Sequence, residues 1–203
     1  MRGGRPETEV RDLDDTEVVA AVTAGDRDAF RVLVERYGAL AQRTAVLLGA
    51  GCDADDVVQE AFVRAYRALP SFRGGEPFRP WLLRIVVNQA HNARRGRARA
   101  QSALDRAAVL DRAAAGPPAT LGDEPADAAI SGEQRDELVA ALGTLREADR
   151  EVLALRFLLD LSEEETATAL GVARGTVKSR TNRALQRLRD RLDRPARVEV
   201  GRG

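Results

Sequence analysis

The side chains best suited to chemistry lie near the carboxyl end of the chain, between Leu161 and Leu192. One side of a predicted helix in this stretch carries Lys178, Ser179, Asn182, Arg183 and Gln186. Side chains of these types read base edges or hold phosphates. From Val172 to Arg194 there are eight Lys or Arg residues and two acids. This composition indicates a nucleic-acid interface, and the alternative is an ordinary helical hairpin with a solvated basic face.

Local signals predict a helix-turn-helix around these residues. Ser162 and Glu165 form a capping-box pattern at a helix start, and Gly171 suits the left-handed residue that ends a helix. A second helix is predicted from near Arg174, with one apolar stripe made of Val177, Ala184, Leu185, Leu188 and Leu192. A helix, a glycine turn and a polar basic helix are the arrangement that presents a recognition helix to the major groove.

The composition of the chain restricts the other classes of function. Its 203 residues have zero net charge, but acids outnumber bases thirteen to four between Asp123 and Glu165. This segregation indicates a basic binding element on an acidic, partner-facing body. Cys52 and His91 are the sole residues of their types, so we expect no disulfide, no Cys/His metal site, no cofactor and no enzymatic activity. No apolar run reaches about 18 residues, and we expect a cytoplasmic protein without membrane insertion.

The pattern of apolar residues predicts an all-α fold of two small helical domains joined by a flexible linker, with the helix-turn-helix at the end of the second. We expect a disordered amino terminus (1–13), a first domain (14–99), a linker rich in Ala, Gly and Pro (100–130), a second domain (131–194) and a tail (195–203).

Two predicted helices of the first domain carry polar residues that need an explanation. The first opens at Asp53, and the helix dipole accounts for Asp53 and Asp55, but not for the edge formed by Asp56, Gln59 and Glu60. The second begins near Pro80 and becomes polar and basic towards its far end. Trp81, near its start, is either part of the core or a support for an unstacked base.

With both domains placed, the chain resembles an extracytoplasmic-function (ECF) sigma factor of the sigma-70 family. The resemblance lies in DADDVVQEAFVRAYRAL followed by FRGGEPFRPWLLRIVVNQAHN, and in LREADREVLALRFLLDLSEEETATALGVARGTVKSRTNRALQRLR. It covers about residues 14–99 and 131–192, which resemble sigma domains two and four. It implies a factor that binds core RNA polymerase, directs it to a promoter and assists melting of the −10 element.

The resemblance also implies roles for individual residues. Asp56, Gln59 and Glu60 match the D-x-x-Q-E edge that docks on the β′ clamp helices, and the second domain would contact the β flap. The residues implied to contact the −10 element are Phe72, Trp81, Arg84, Asn88, Asn92 and Arg95. Those implied at the −35 element are Arg174, Thr176, Lys178, Ser179, Arg180, Asn182 and Arg183, with Arg174 and Arg180 on phosphates. Asn88 has a structural amide as its alternative role. An anti-sigma factor is the implied regulator.

Two departures from the family's pattern accompany this resemblance. Thr166 stands where a bulky aliphatic residue is usual, and Ala173 lacks a side chain that could cap the second helix. The rival interpretation is a stand-alone, dimeric helix-turn-helix regulator that binds a palindromic operator. Cys52 has two alternatives, a small packing group or a redox-sensitive thiol.

Overall fold

A computed structural model describes residues 13–72, 76–111 and 145–192, with the backbone alone described for residues 103–111, 191 and 192. The helices are α1 (Asp15–Thr23), α2 (Phe30–Leu47), α3 (Ala54–Ala68), α4 (Phe78–Asp111), α5 (Glu147–Leu153), α6 (Glu163–Leu170) and α7 (Arg174–Leu192). Short 3₁₀ turns at Gly51–Asp53 and Leu69–Ser71 flank α3, and a π-helical turn at Ala154–Leu158 extends α5. The predicted all-α class is confirmed, since every regular element of these residues is helical and they form two helical units.

The first unit consists of α1 to α4 around a single core. A capping box starts α1, in which the Glu17 amide donates to Asp14 Oδ1 at 2.8 Å and the Asp14 amide donates to Glu17 Oε2 at 3.0 Å. The inner faces of the four helices meet through Leu33, Phe62 and Leu82, together with many small residues such as Ala41, Ala61 and Ala90. Small side chains allow the helices to approach closely, and the aromatic side chains of Phe62 and Phe78 are buried among them.

Two boundaries of the first unit differ from the predicted ones. The long helix α4 starts at Phe78 rather than near Pro80, and its backbone continues past residue 100 to Asp111. Asp53 does precede α3, but its carboxylate makes no capping hydrogen bond. It accepts a hydrogen bond from Arg97 Nη1 at 2.6 Å instead, and this contact ties the start of α3 to the far part of α4.

The second unit forms the predicted helix-turn-helix. Ser162 and Glu165 make both hydrogen bonds of the capping box at the start of α6, and Gly171 ends that helix with φ 65° and ψ 35°. Helix α7 begins at Arg174, as expected. Its fully buried Val177 and Ala184 pack with Leu145, Val152 and Leu153.

The apolar stripe predicted for α7 is wrong at Leu185, whose side chain is exposed. Leu185 is one residue beyond the buried Ala184 and therefore turned about 100° away from the core. Leu158, the last residue of the π-helical turn, is also exposed.

The two units touch. Leu83 of α4 is fully buried and packs with Leu155, Leu159, Leu161 and Ala169 of the second unit. The predicted segments 1–12, 112–130 and 195–203, and the predicted start of the second domain at Ser131, lie outside the described residues. So does the loop 73–75. Within the ranges that the structure does describe, no helix is long and apolar enough to cross a membrane.

Candidate nucleic-acid interface

The predicted −35 residues form the outer face of α7. Arg174, Lys178, Ser179, Asn182 and Arg183 are exposed, whereas Thr176 and Arg180 are half-buried. The Arg183 side chain donates from Nε to the Ser179 carbonyl at 3.1 Å, and Arg174 Nε lies 3.3 Å from Glu163 Oε2. Because Val177 and Ala184 anchor the opposite face in the core, the polar side chains project outward as one surface.

Electrostatics favour an anionic ligand on this surface. Lys178, Arg180 and Arg183 make no ion pair with another described residue, whereas Arg187 is paired with the buried Asp149. Lys178, Arg180 and Arg183 therefore keep their charge available for phosphates, whereas Arg174 shares its charge with Glu163.

The predicted −10 residues of α4 share one stripe of that helix. Trp81, Arg84, Asn88, Asn92 and Arg95 are separated by three or four residues, which brings them to the same side. Arg84, Asn88, Asn92 and Arg95 are exposed. Asn92 Nδ2 donates to Gln89 Oε1 at 3.3 Å, and Arg95 Nη2 donates to Asn92 Oδ1 at 2.9 Å. The exposed amide of Asn88 is thus not held in the core.

An aromatic cluster lies at the start of this stripe. The ring centroids of Phe72 and Trp81 are 4.9 Å apart, and Phe78 lies 5.9 Å from Phe72 and 5.4 Å from Trp81. Phe78 is buried, whereas Phe72 and Trp81 are half-buried. Trp81 is accordingly packed on the core and also presents part of its ring beside the polar stripe.

The predicted polymerase-binding edge lies on α3. Asp56, Gln59 and Glu60 are all exposed, and Glu60 Oε1 pairs with Arg64 Nε at 2.7 Å. Gln59 also lines an apolar groove of about 700 Å³ between α2 and α3, whose other walls include Phe30, Val34, Phe62 and Tyr66. A polar edge beside an apolar groove is typical of a protein-binding surface.

A charged cluster that no sequence pattern indicated joins the two units. His91 Nε2 lies 2.7 Å from Glu151 Oε1 and 3.7 Å from Glu147 Oε1. Arg94 forms a close ion pair with Glu147, and its Nη1 lies 3.6 Å from Glu151 Oε1. Glu151 is buried. Burial acts to raise the pKa of Glu147, but the hydrogen bond and charge of Arg94 outweigh it, and the pKa lies below its ordinary value.

The same cluster has one feature of a metal site. A ligand atom from each of His91, Glu147 and Glu151 lies within 4.8 Å of the others. However, the guanidinium of Arg94 contacts both carboxylates and offsets one of their two negative charges, and its positive charge would repel a divalent cation placed there. We therefore assign no metal to the cluster.

Comparisons with known proteins identify the family. Residues 33–100 match Sigma-70 region 2, and residues 135–188 match Sigma-70, region 4. The ECF RNA polymerase sigma-E factor of Escherichia coli (strain K12) is 37% identical over 183 residues, which are 89% of this chain and 95% of that protein. The RNA polymerase sigma factor CnrH of Cupriavidus metallidurans is 33% identical over 180 residues, which are 88% of this chain and 94% of that protein.

Solved structures agree with these matches. CnrH in complex with the cytosolic domain of CnrY has a TM-score of 0.63 and 31% identity, with 88% of this chain and 97% of that chain covered. The sigma factor RpoE in complex with the anti-sigma factor NepR, from Bartonella quintana, has a TM-score of 0.61 and 25% identity, with 81% and 96% covered. The chain belongs to the ECF group of sigma-70 RNA polymerase sigma factors.

Proposed function

We propose that this sigma factor binds core RNA polymerase in the cytoplasm, reads the −10 and −35 elements of its promoters and assists melting at −10. The observation that carries the proposal is the outer face of α7, where exposed basic and amide side chains project from a helix anchored in the core. A face of this kind enters the major groove and reads bases there. Sigma factors direct an enzyme and are not enzymes themselves, so no reaction is assigned to the chain.

Each of the other surfaces has a part in this function. We assign Asp56, Gln59 and Glu60 to the β′ clamp helices, because they form one exposed edge on α3. The second unit would contact the β flap. Arg84, Asn88, Asn92 and Arg95 would hold an unpaired strand, with Phe72 and Trp81 available for stacking against a base. Because the two units are tethered, binding of one promoter element by one unit raises the effective concentration of the other unit at the second element. The affinity for the whole promoter would therefore exceed that of either unit alone.

An anti-sigma protein is the proposed regulator. Two structural relatives, CnrH and RpoE, were solved with CnrY and with the anti-sigma factor NepR, respectively. In this chain the apolar groove beside Gln59 would admit an apolar helix from such a partner. A partner bound there would cover the polymerase-binding edge.

In-vitro transcription from a fragmented genomic library, with core polymerase alone and with this chain added, tests the proposal. New start sites that share two spaced motifs are the expected result, and they would supply the promoter sequence. If no start sites appear and the chain alone protects a palindromic sequence, it acts as a stand-alone dimeric regulator instead.

A further inference from the structure

The recognition helix α7 is attached to the second unit in two different ways. Its first half is held by apolar packing, because Val177 and Ala184 are fully buried in the core of the unit. After Ala184, Leu188 packs on the same core but is only half-buried. A polar attachment is added in this part of the helix, where Arg187 forms a close ion pair with the buried Asp149 of α5.

Asp149 is a buried carboxylate that the start of its own helix does not require. It lies in the first turn of α5, where the helix dipole favours an acid. Glu147 lies in the same turn and supplies such a charge with a side chain that is 47% exposed. The side chain of Asp149 is only 7% exposed, and burial of a carboxylate is costly unless the group is paired. The ion pair with Arg187 compensates for that cost.

Arg187 is the last of three arginines along one flank of α7. Arg180, Arg183 and Arg187 are separated by three and four residues, a spacing that places them on one side of a helix. The first two make no ion pair within the described part of the chain, whereas the third is held by Asp149. The Arg187 side chain is 40% exposed, so it lies at the edge of the outer face while its guanidinium binds α5.

This ion pair affects two components of DNA binding in opposite ways. A free arginine beside DNA adds a phosphate contact, which strengthens binding on every sequence and steepens its salt dependence. Discrimination between sequences comes from base edges, which side chains reach only from a correctly placed helix. A pair that holds the end of α7 and occupies one arginine therefore acts against general binding and in favour of base reading.

We propose that Asp149 is a positioning residue for reading of the −35 element. Through Arg187 it fixes the far end of α7 on α5, and it keeps the charge of Arg187 away from DNA phosphates. Asp149 is buried and therefore has no direct contact with DNA, whereas Asn182 and Arg183 are exposed on the helix that it positions. The inference rests on the proposed function and adds to it a residue from outside the helix-turn-helix.

Salt-dependent DNA binding by the full-length chain tests this role. Asp149→Asn keeps the shape of the side chain and removes the charge that holds Arg187. Affinities are measured by fluorescence anisotropy at several salt concentrations, for a −35 duplex from the library assay and for a random duplex of equal length. Because the released Arg187 gains one phosphate contact, the slope of log affinity against log salt should become steeper by about 0.9 on both duplexes.

The two duplexes should differ in their affinity changes at one fixed salt concentration. Binding of Asp149→Asn to the random duplex should rise by up to about eightfold at about 0.1 M salt, which is the gain from one phosphate contact. On the −35 duplex this gain is offset, because the base-reading side chains are less accurately placed. The ratio of the two affinities should therefore fall by about threefold or more.

A second variant separates the released charge from the lost support of the helix. In D149N/R187Q the freed arginine is absent, so the salt slope should return to the parent value while the affinity ratio stays reduced. Both new side chains are uncharged, and no unpaired charge is left inside the unit. Glu164→Gln is the matched control, because it removes one negative charge from an exposed position of α6 without releasing an arginine. It should keep the parent slope and ratio.

Two results would overturn the role of Asp149. One is the parent slope in Asp149→Asn, which would leave the residue a purely structural part, and the other is a steeper slope that persists in D149N/R187Q. The random duplex needs no promoter sequence, so its slope is measured whatever the library assay finds. Absence of new start sites would reject the proposed function, whereas new start sites together with a parent slope in Asp149→Asn would reject the positioning role alone.

Discussion

The guanidinium of Arg84 on α4 lies against the backbone of Gly171 in the helix-turn-helix, with Nη2 3.4 Å from the position that a Cβ on Gly171 would take. The contact joins a residue assigned to the −10 element with the turn that orients the −35 recognition helix. The contact also lies at one edge of a cleft between the two units. Glu165 and Val172 line this cleft from the second unit.

Replacement of Gly171 by alanine is expected to lower the free energy of unfolding by about 1 kcal/mol. The cause is backbone strain, because Gly171 has φ 65° and a left-handed conformation costs other residues about 1–2 kcal/mol. The Arg84 side chain is exposed and can move away from the new methyl group, so the steric part should be small. Urea unfolding followed by circular dichroism measures the change.

Gly175 provides the matched control for this substitution. It lies in the first turn of α7, and a Cβ there would meet nothing within 4 Å. Gly175→Ala should therefore leave stability unchanged or raise it by up to about 1 kcal/mol, since alanine favours a helix. Equal losses in both variants would contradict the role assigned to the left-handed turn.

The helix-turn-helix could be predicted closely because its signals are local. The capping box at Ser162, the left-handed Gly171 and the start at Arg174 each depend on residues a few positions apart. The exposed stripe of Arg84, Asn88 and Asn92 likewise follows from helical spacing.

The contact between the units could not be predicted because its partners are far apart in the chain. Glu147 and Glu151 are four residues apart on one helix, a spacing typical of an ordinary solvated face. Their partners on α4 are about sixty residues away in sequence, and the packing of Leu83 against the second unit is among the contacts that bring them together. The sequence pattern shows that α4 has an apolar side. It does not show that Leu82 packs in the core of the first unit whereas the next residue, Leu83, packs against the second unit.

Thr166 offers a second test of stability. Its side chain is fully buried, and its hydroxyl has no hydrogen-bond partner among the described residues. Thr166→Val keeps the shape and removes the unpaired polar atom, and it should raise the free energy of unfolding by about 1 kcal/mol. The result is measured by chemical unfolding of the full chain.

Thr44 is the control, since it is equally buried but its hydroxyl donates to the Leu40 carbonyl at 2.7 Å. Thr44→Val loses that bond and should lower stability by about 1 kcal/mol. Stabilisation by both valines would mean that hydrophobicity alone, and not the unpaired hydroxyl, explains the effect.

The edge on α3 is tested by the triple substitution of Asp56, Gln59 and Glu60 by alanine. Affinity for core polymerase should fall by about tenfold or more, while helicity is preserved. The three side chains are exposed, and the ion pair that Glu60 forms with Arg64 contributes little to stability. Binding is measured by fluorescence anisotropy, and helicity by circular dichroism.

The substitutions D28A/R31A/E35A provide a comparison for this edge, because they remove three exposed polar side chains from the same unit. Affinity for polymerase should stay at the parent value in this variant. Parent-like affinity in the α3 triple variant would remove the docking role from that edge.

Arg183 tests base reading by α7. It is exposed on the outer face, where its Nε contacts the Ser179 carbonyl, and the rest of the guanidinium can reach a base edge. Arg183→Ala should reduce discrimination at one −35 base pair by about 1–3 kcal/mol.

Arg189→Ala is the matched control, because it removes the same charge from an exposed position of α7 that is not assigned to a base. This variant should weaken binding equally on all sequences. Affinities for a set of singly substituted −35 duplexes at fixed salt distinguish the two variants. If Arg183→Ala weakens every duplex by the same factor, its side chain contacts a phosphate and the sequence is read by other residues of the helix.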